Sequence, residues 1–199
     1  NPAGAKNQLI GVFSEQWVEP LAQVLHKLGS EHVLIVNAED GLDEISINSA
    51  TTVAELQNGS VRTYSITPEQ FGFQRAPLSA LAVDSIQSSL DTLKKVLRGE
   101  PGPAKDIVCL NAGAAIYAAN LTDTLDSGIQ KAQHIIDNGV AFEKLGQLLA
   151  LTDKQIKGVF KRMFKNKMKA NQLINASFLS DEMKTAYKTV LEKRYQRIE

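Results

Sequence analysis

The segment HVLIVNAEDGLDEIS, residues 32–46, decides how this 199-residue chain folds. It opens with a largely apolar run rich in β-branched residues, which is typical of a strand buried on both faces of a sheet. A turn at glycine then leads to two adjacent acids, Asp43 and Glu44. The two acids therefore follow the end of a central strand, and ligands of open α/β sheets bind at that carboxyl end.

The residues on either side of this segment predict a strand–helix–strand unit followed by a hairpin. QLIGVF (8–13) has the composition of a short buried strand, and residues 14–29 have one apolar helical face. TTVAELQNGSVRTYSIT (51–67) alternates between polar and apolar residues and contains Asn58-Gly59, a strong hairpin signal. We therefore expect a mostly parallel sheet with a hairpin added to it.

Helical periodicity dominates the chain from residue 86 onward. Gly99, Pro103 and Gly139 lie at helix boundaries, as is usual for glycine and proline. The predicted helices are 86–99, 103–120, 125–139 and 140–152. With the strands before them, these helices predict an α/β fold in which helices flank both faces of the sheet.

The charges divide the chain into two parts of opposite sign. Residues 1–152 contain 10 Lys and Arg against 17 Asp and Glu, whereas residues 153–199 contain 12 against 5. We expect an α/β domain over 1–152 and a basic helical extension over 153–199. The basic residues are either the solvated face of a small helical subdomain or a surface for nucleic acid or another polyanion. Without a groove-binding motif, we do not expect nucleic-acid binding.

The composition excludes several classes of protein. The apolar runs are too short to cross a bilayer, so we expect a soluble, cytoplasmic protein without a membrane segment. The single cysteine, Cys109, excludes an internal disulfide and is expected to pack in the core rather than act as a catalytic thiol. His26, His32 and His134 lack ligand spacing, so we interpret them as ordinary helix and loop residues and predict no zinc site.

Three motifs give the chain a recognisable family resemblance. NPAG opens the chain, DGLDEIS follows at 40–46, and LNAGAAIY occupies 110–117. In this order and spacing, residues 1 to about 152 resemble the second half of the anthranilate phosphoribosyltransferase family. One departure lies at AVDSIQSS (82–89), where many members have Gly-Gly-Asp followed by Glu-Asn.

The resemblance implies a fold and an activity. The fold would be that of the phosphoribosyltransferases and nucleoside phosphorylases. The enzyme would belong to tryptophan biosynthesis and join anthranilate to phosphoribosyl pyrophosphate with release of pyrophosphate. The family's adjacent Asp-Glu pair, which holds Mg²⁺, aligns with Asp43 and Glu44. The resemblance also implies a homodimer for the full-length enzyme, formed largely through its helical domain.

The chemistry of the acid pair agrees with a magnesium site. Adjacent carboxylates repel each other unless a cation lies near them, and Mg²⁺ prefers oxygen ligands. One or two carboxylates suffice when substrate phosphates complete the coordination. The alternative is that Asp43 and Glu44 cap a backbone turn and bind no metal.

Several motifs of the resembled family do not occur in the sequence. They are a Gly-Thr-Gly-Gly-Asp loop, a Lys-His-Gly-Asn segment and an arginine that contacts anthranilate. We therefore expect the 199-residue chain alone to be inactive. The alternative function is a transferase-derived module without chemistry that uses its basic tail to bind nucleic acid or a protein. Residues 151–179 weakly resemble the helical domain that opens the family. They are either a displaced or permuted form of that domain, an unrelated helical extension, or sequence from a fusion or frameshift.

Overall fold

The computed structural model describes residues 4–149, 171–177 and 179–196 of the chain. The chain forms two compact units, Asn1–Lys144 and Leu145–Glu199. The domain boundary predicted after residue 152 lies outside the described residues and stays a prediction. The same holds for the part of the predicted basic helical extension that lies within residues 153–170.

A four-stranded sheet forms the centre of the first unit. Its strands, in spatial order, are β1 (Asn7–Gly11), β2 (His32–Ala38), β3 (Thr51–Gln57) and β4 (Ser60–Ile66). Strands β1 and β2 pair in parallel, whereas β2 with β3 and β3 with β4 pair antiparallel. The predicted α/β class is confirmed, but the sheet is mixed and not mostly parallel as expected, because only the first of these three pairings is parallel.

The connections explain this mixture of directions. A helix joins β1 to β2, and a parallel pairing needs such a crossover. No helix lies between β2 and β3, so the chain turns back through residues 39–50 and β3 runs antiparallel to β2. Asn58 and Gly59 then have φ angles of 51° and 75°, the left-handed conformation that a two-residue hairpin turn requires. The hairpin predicted at these two residues is confirmed.

The helices match the predicted segments closely. The first begins later than predicted, because Glu15–Trp17 forms a 3₁₀ turn. Two further 3₁₀ turns are Pro68–Phe71 and Leu78–Leu81. The labelled helices are α1 (Val18–Lys27), α2 (Ile86–Leu97), α3 (Pro103–Ala118), α4 (Leu125–Asp137), α5 (Val140–Leu149) and α6 (Asp181–Gln196). Residues 171–176 are also helical. Among the described helices, none combines the length and the apolar character needed to span a membrane.

Helices cover both faces of the sheet, as predicted. Every residue of β2 is buried, and its side chains alternate between two apolar clusters. Val33 and Ile35 pack in the cluster that contains α1, whereas Leu34 and Val36 pack in the cluster that contains α3 and α4. Cys109 lies in the second cluster, fully buried, and burial raises the pKa of its thiol to about 11. A packing role for Cys109 follows from this position.

Glu55 of β3 is a fully buried carboxylate that hydroxyl and guanidinium groups surround. Its Oε2 accepts hydrogen bonds from Arg62 Nη2 (2.8 Å) and Tyr64 Oη (2.9 Å), and its Oε1 accepts one from Tyr117 Oη (2.6 Å). Burial opposes ionisation of Glu55, but the bonds from Tyr117, Arg62 and Tyr64 outweigh it and lower the pKa of Glu55. This network joins the hairpin to the end of α3.

His32 belongs to the same buried region, which corrects its interpretation as an ordinary helix or loop residue. It opens strand β2, and only 2% of its surface is exposed. Its ring stands edge-on to Tyr117 with the centroids 4.7 Å apart, and its Nδ1 lies 2.6 Å from Asn120 Oδ1. A histidine at the start of a fully buried strand has no water to face, so its ring packs and pairs inside the fold.

We predict that Glu55 makes the stability of the first unit depend on acid pH. Because the pKa of Glu55 is lower in the folded chain, its contribution is present above its unfolded pKa and is lost as the pH falls through the folded pKa. Glu55→Gln should reduce the free energy of unfolding at pH 7 by about 1–3 kcal/mol, because the buried donors lose a charged acceptor. The difference from the unsubstituted chain should shrink towards pH 3.

Urea unfolding at several pH values measures this effect. Glu100→Gln is the control, since Glu100 is an exposed acid whose side chain makes no described hydrogen bond or ion pair. If the Glu55→Gln and Glu100→Gln variants have the same pH profile, Glu55 does not contribute charge-dependent stability.

Candidate functional site

The acid pair lies in the loop that follows the central strand. Strand β2 ends at Ala38, whose N–H donates to the Leu42 carbonyl at 2.9 Å. Gly41 allows this reversal because its φ is +90°, a conformation that residues with a Cβ rarely adopt. Asp43 and Glu44 follow at once, which places them beyond the carboxyl end of β2, where the sequence predicted them.

Asp40 holds the first half of the loop together. Its Oδ2 accepts hydrogen bonds from Ser46 Oγ (2.6 Å) and Asn48 Nδ2 (3.2 Å), and its Oδ1 accepts one from the Leu42 N–H (3.3 Å). Burial opposes ionisation of Asp40, but these bonds, together with one involving Ser49, outweigh it and lower its pKa. Asp40 is therefore a charged centre around which the loop closes.

Asn111 of α3 holds the other half of the loop. Its Oδ1 accepts a hydrogen bond from the Ile45 N–H, and its Nδ2 donates one to the Ile45 carbonyl, both at 2.9 Å. Ile45 is only 3% exposed and packs in the core beneath the loop. The residue that directly follows Glu44 is therefore fixed by both its backbone and its side chain.

Gly11 provides the space that the loop occupies. It is the last residue of β1, and its Cα lies against the backbone of Asp43. A Cβ at this position would overlap the Asp43 carbonyl oxygen and would lie 3.2 Å from Asp43 Cα. The close approach of β1 to the acid loop therefore requires glycine at residue 11.

The two carboxylates take no part in these supporting contacts. Both side chains are exposed, and within the described residues neither makes a hydrogen bond or an ion pair. They line a cavity of about 580 Å³ whose other walls are the Leu78–Leu81 turn and parts of α2 and α3. Apolar side chains such as Leu81, Leu93 and Ile107 dominate those walls. The acids are thus free to bind a cation at the edge of an apolar cleft.

The donor set is compatible with Mg²⁺. Among the residues that the structure describes, no three His, Cys, Asp or Glu side chains come together to hold a metal. Asp43 and Glu44 could contribute two carboxylates, with water and phosphate oxygens as further ligands. Mg²⁺ is commonly bound in this way, because it gives up its water reluctantly and takes few protein ligands.

The residues that support the loop were not identified from the sequence. Asp40 and Asn111 lie in DGLDEIS and LNAGAAIY, so the motifs marked the right segments without indicating what these two residues do. Asn111 and Ile45 are 66 residues apart, and no local periodicity indicates such a contact. Gly11 could have been suspected, since a glycine inside a strand often marks the close approach of another backbone.

Comparison with known proteins gives matches over the first three quarters of the chain. The family model described as "Glycosyl transferase family, a/b domain" matches residues 1–142. The anthranilate phosphoribosyltransferase of Methylococcus capsulatus is 60% identical over 152 residues, which are 76% of this chain and 45% of the relative. The chain thus spans less than half the length of this relative.

Two solved structures resemble the fold. Anthranilate phosphoribosyltransferase from Thermus thermophilus has a TM-score of 0.68 at 38% identity, over 75% of this chain and 44% of its own. The Saccharomyces cerevisiae enzyme in complex with phosphoribosyl pyrophosphate and Mg has a TM-score of 0.60 at 26% identity. That match covers 69% of this chain and 40% of the yeast chain.

Proposed function

Because the chain belongs to the glycosyl transferase family through its a/b domain, we propose that residues 1–152 are the α/β portion of an anthranilate phosphoribosyltransferase. The observation that carries the proposal is the acid pair at the carboxyl end of β2. Asp43 and Glu44 are exposed, free of described partners and supported from both sides of their loop. The M. capsulatus relative, at 60% identity, has this activity in its name.

The proposed reaction exchanges one bond at the ribose for another. The anthranilate amine forms a bond to the ribose carbon, the bond from that carbon to pyrophosphate breaks, and one amine proton is released. Negative charge grows on the departing pyrophosphate. Bound Mg²⁺ would supply charge neutralisation there.

In this reaction, Asp43 and Glu44 would hold Mg²⁺, which would neutralise charge on the pyrophosphate. Neither carboxylate has to break a described ion pair before it binds the cation. The supports from Asp40 and Asn111 order the loop in advance, so substrate binding does not have to order it. The yeast structure, which contains both phosphoribosyl pyrophosphate and Mg, supports this assignment by analogy.

The proposal also covers the substrates, the pathway, the location and the partners of the full-length enzyme. The substrates are phosphoribosyl pyrophosphate and anthranilate, the pathway is tryptophan biosynthesis, and the location is the cytoplasm. The full-length enzyme is a homodimer, and nucleic acid is not a partner. The alternative, a binding module without chemistry, receives no support from the matches, which carry the name of the enzyme.

A chimera tests the proposal. The matching 152 residues of the M. capsulatus enzyme are replaced by residues 1–152 of this chain. We expect the purified chimera to form pyrophosphate only when both substrates are present, at a rate within about tenfold of the parent, or ~1.4 kcal/mol of barrier. The isolated 199-residue chain, assayed beside it, should show no detectable turnover.

Circular dichroism and gel filtration establish whether the chimera is folded. A folded chimera that binds phosphoribosyl pyrophosphate but fails to turn over would contradict the proposed function. Turnover by the isolated chain at the rate of the parent would contradict the expectation that the essential groups are divided between this segment and the rest of the enzyme.

A further inference from the structure

We propose that Asn111 is a positioning residue for the metal loop, an inference that rests on the proposed function. Asn111 lies on α3 and contacts the backbone of Ile45, the residue after the acid pair. It is not among the residues that line the cavity beside Asp43 and Glu44. Asn111 therefore acts on the metal through the loop and not as a ligand.

The geometry of the amide explains how it acts. The Ile45 N–H that bonds to Asn111 Oδ1 belongs to the peptide group between Glu44 and Ile45. Fixing that N–H and the Ile45 carbonyl together fixes the planes of two successive peptide groups. The Glu44 Cα is attached to the first of these planes, so the direction of its side chain depends on Asn111.

The amide itself is held in one orientation. Asn111 Nδ2 donates a second hydrogen bond to the Ile107 carbonyl at 3.0 Å, one helical turn earlier on α3. Both Nδ2 protons thus have an acceptor, and Oδ1 has a donor. Rotation of the amide by 180° would break all three bonds, so the amide stays in one orientation. Asn111 therefore anchors the loop to α3.

The other end of the acid pair has a separate support. Asp40 accepts from the Leu42 N–H, and Gly11 packs against the Asp43 backbone. The acids therefore lie between two fixed points, one on each side. Removing Asn111 should free the Glu44 side of the loop while the Asp40 side stays in place.

Two substitutions and a control separate positioning from stability. Asn111→Ala removes all three hydrogen bonds. Asn111→Asp keeps the shape of the side chain but replaces Nδ2, which donates to the Ile45 and Ile107 carbonyls, by a carboxylate oxygen that cannot donate. Cys109→Ala is the matched control, because Cys109 is buried two residues earlier on α3 and no described hydrogen bond joins it to the loop. Asp43→Asn serves as the variant that lacks one of the proposed metal ligands.

The probe is Mn²⁺ with inorganic pyrophosphate, titrated into the full 199-residue chain and followed by the electron paramagnetic resonance of free Mn²⁺. Both Asn111 variants should bind the probe about tenfold or more weakly, and Cys109→Ala should stay within about twofold of the unsubstituted chain. Hydrogen exchange at the Ile45 amide should accelerate by about tenfold or more in Asn111→Ala while the amides of β2 keep their protection.

The outcomes separate this inference from the proposed function. If the unsubstituted chain does not bind the probe, or if Asp43→Asn binds it equally well, the metal assignment fails and the role of Asn111 fails with it. If Asp43→Asn loses binding but both Asn111 variants retain it, only the role of Asn111 is overturned. An unchanged Ile45 exchange rate, or an equal loss of binding in Cys109→Ala, overturns it as well.

Discussion

Replacement of Gly11 by alanine is expected to lower the free energy of unfolding by about 3 kcal/mol, at the upper end of the usual cost of overpacking. The added methyl group would overlap the carbonyl oxygen of Asp43. That oxygen belongs to the backbone, so no side-chain rotation relieves the overlap. Either the end of β1 or the acid loop has to move, and each of them is anchored in the core.

Urea unfolding of the Gly11→Ala variant measures the cost. Gly72→Ala is the control, because Gly72 has a φ of +79° and open space where the Cβ would lie. That variant should lose only the ~1–2 kcal/mol that alanine costs in a left-handed conformation. If the Gly11→Ala variant is no less stable than the Gly72→Ala variant, β1 and the loop are not packed as tightly as the structure indicates.

Gly11→Ala should also weaken binding of Mn²⁺ with pyrophosphate, because the displaced group carries the Asp43 side chain. This second readout connects the packing of the sheet to the proposed function. The end of β1 and the acid loop lie so close together that only glycine at residue 11 leaves room for both.

The elements of the fold that depend on local sequence were predictable. A dense apolar run identified β2, and Asn58-Gly59 identified the hairpin, since only a few residues adopt two successive left-handed conformations. The helices followed from periodicity and, at some of their boundaries, from glycine or proline. The direction of β3 was less evident, because it depends on the absence of a crossover helix between β2 and β3 and not on composition.

Contacts between distant residues were not predictable from patterns. The alternation in TTVAELQ would place Glu55 on a solvent face, yet Glu55 is fully buried. It is buried because Arg62, Tyr64 and Tyr117 converge on it from β4 and α3. A single sequence does not show which polar groups contact each other in the fold. A buried carboxylate with its partners therefore has the same sequence pattern as an exposed carboxylate.

The candidate site was likewise predictable only in part. The position of the acid pair after β2 followed from the strand and the glycine turn, and its proposed chemistry came from two adjacent carboxylates together with the family resemblance. The support from Asn111 could not be inferred, because an asparagine in a small-residue helix has no local feature that distinguishes it. Sequence motifs located the candidate acid pair, and the structure was needed to show what holds its loop in place.

Asp43→Asn in the active chimera is expected to reduce Mg²⁺-dependent turnover by about 10²–10³-fold, the usual effect of removing one group that stabilises transition-state charge. Asparagine keeps the size of the side chain but removes the negative charge that is proposed to bind the cation. Raising the Mg²⁺ concentration should recover part of the loss, because weaker binding is partly overcome by mass action. Glu44→Gln should behave similarly, since both acids are proposed ligands.

The stability of the Asp43→Asn variant distinguishes a metal ligand from a capping residue. Asp43 is exposed and has no described side-chain partner, and Asp40 and Asn111 already hold the loop, so the melting temperature in metal-free buffer should hardly change. A residue that caps a backbone turn would instead lose on the order of 1 kcal/mol on substitution and leave the Mg²⁺ dependence intact. Activity titrated against Mg²⁺ and thermal unfolding, both measured on the same preparations, separate the two. A clear loss of stability with an unchanged Mg²⁺ requirement would show that the acid pair shapes the loop and does not hold the metal.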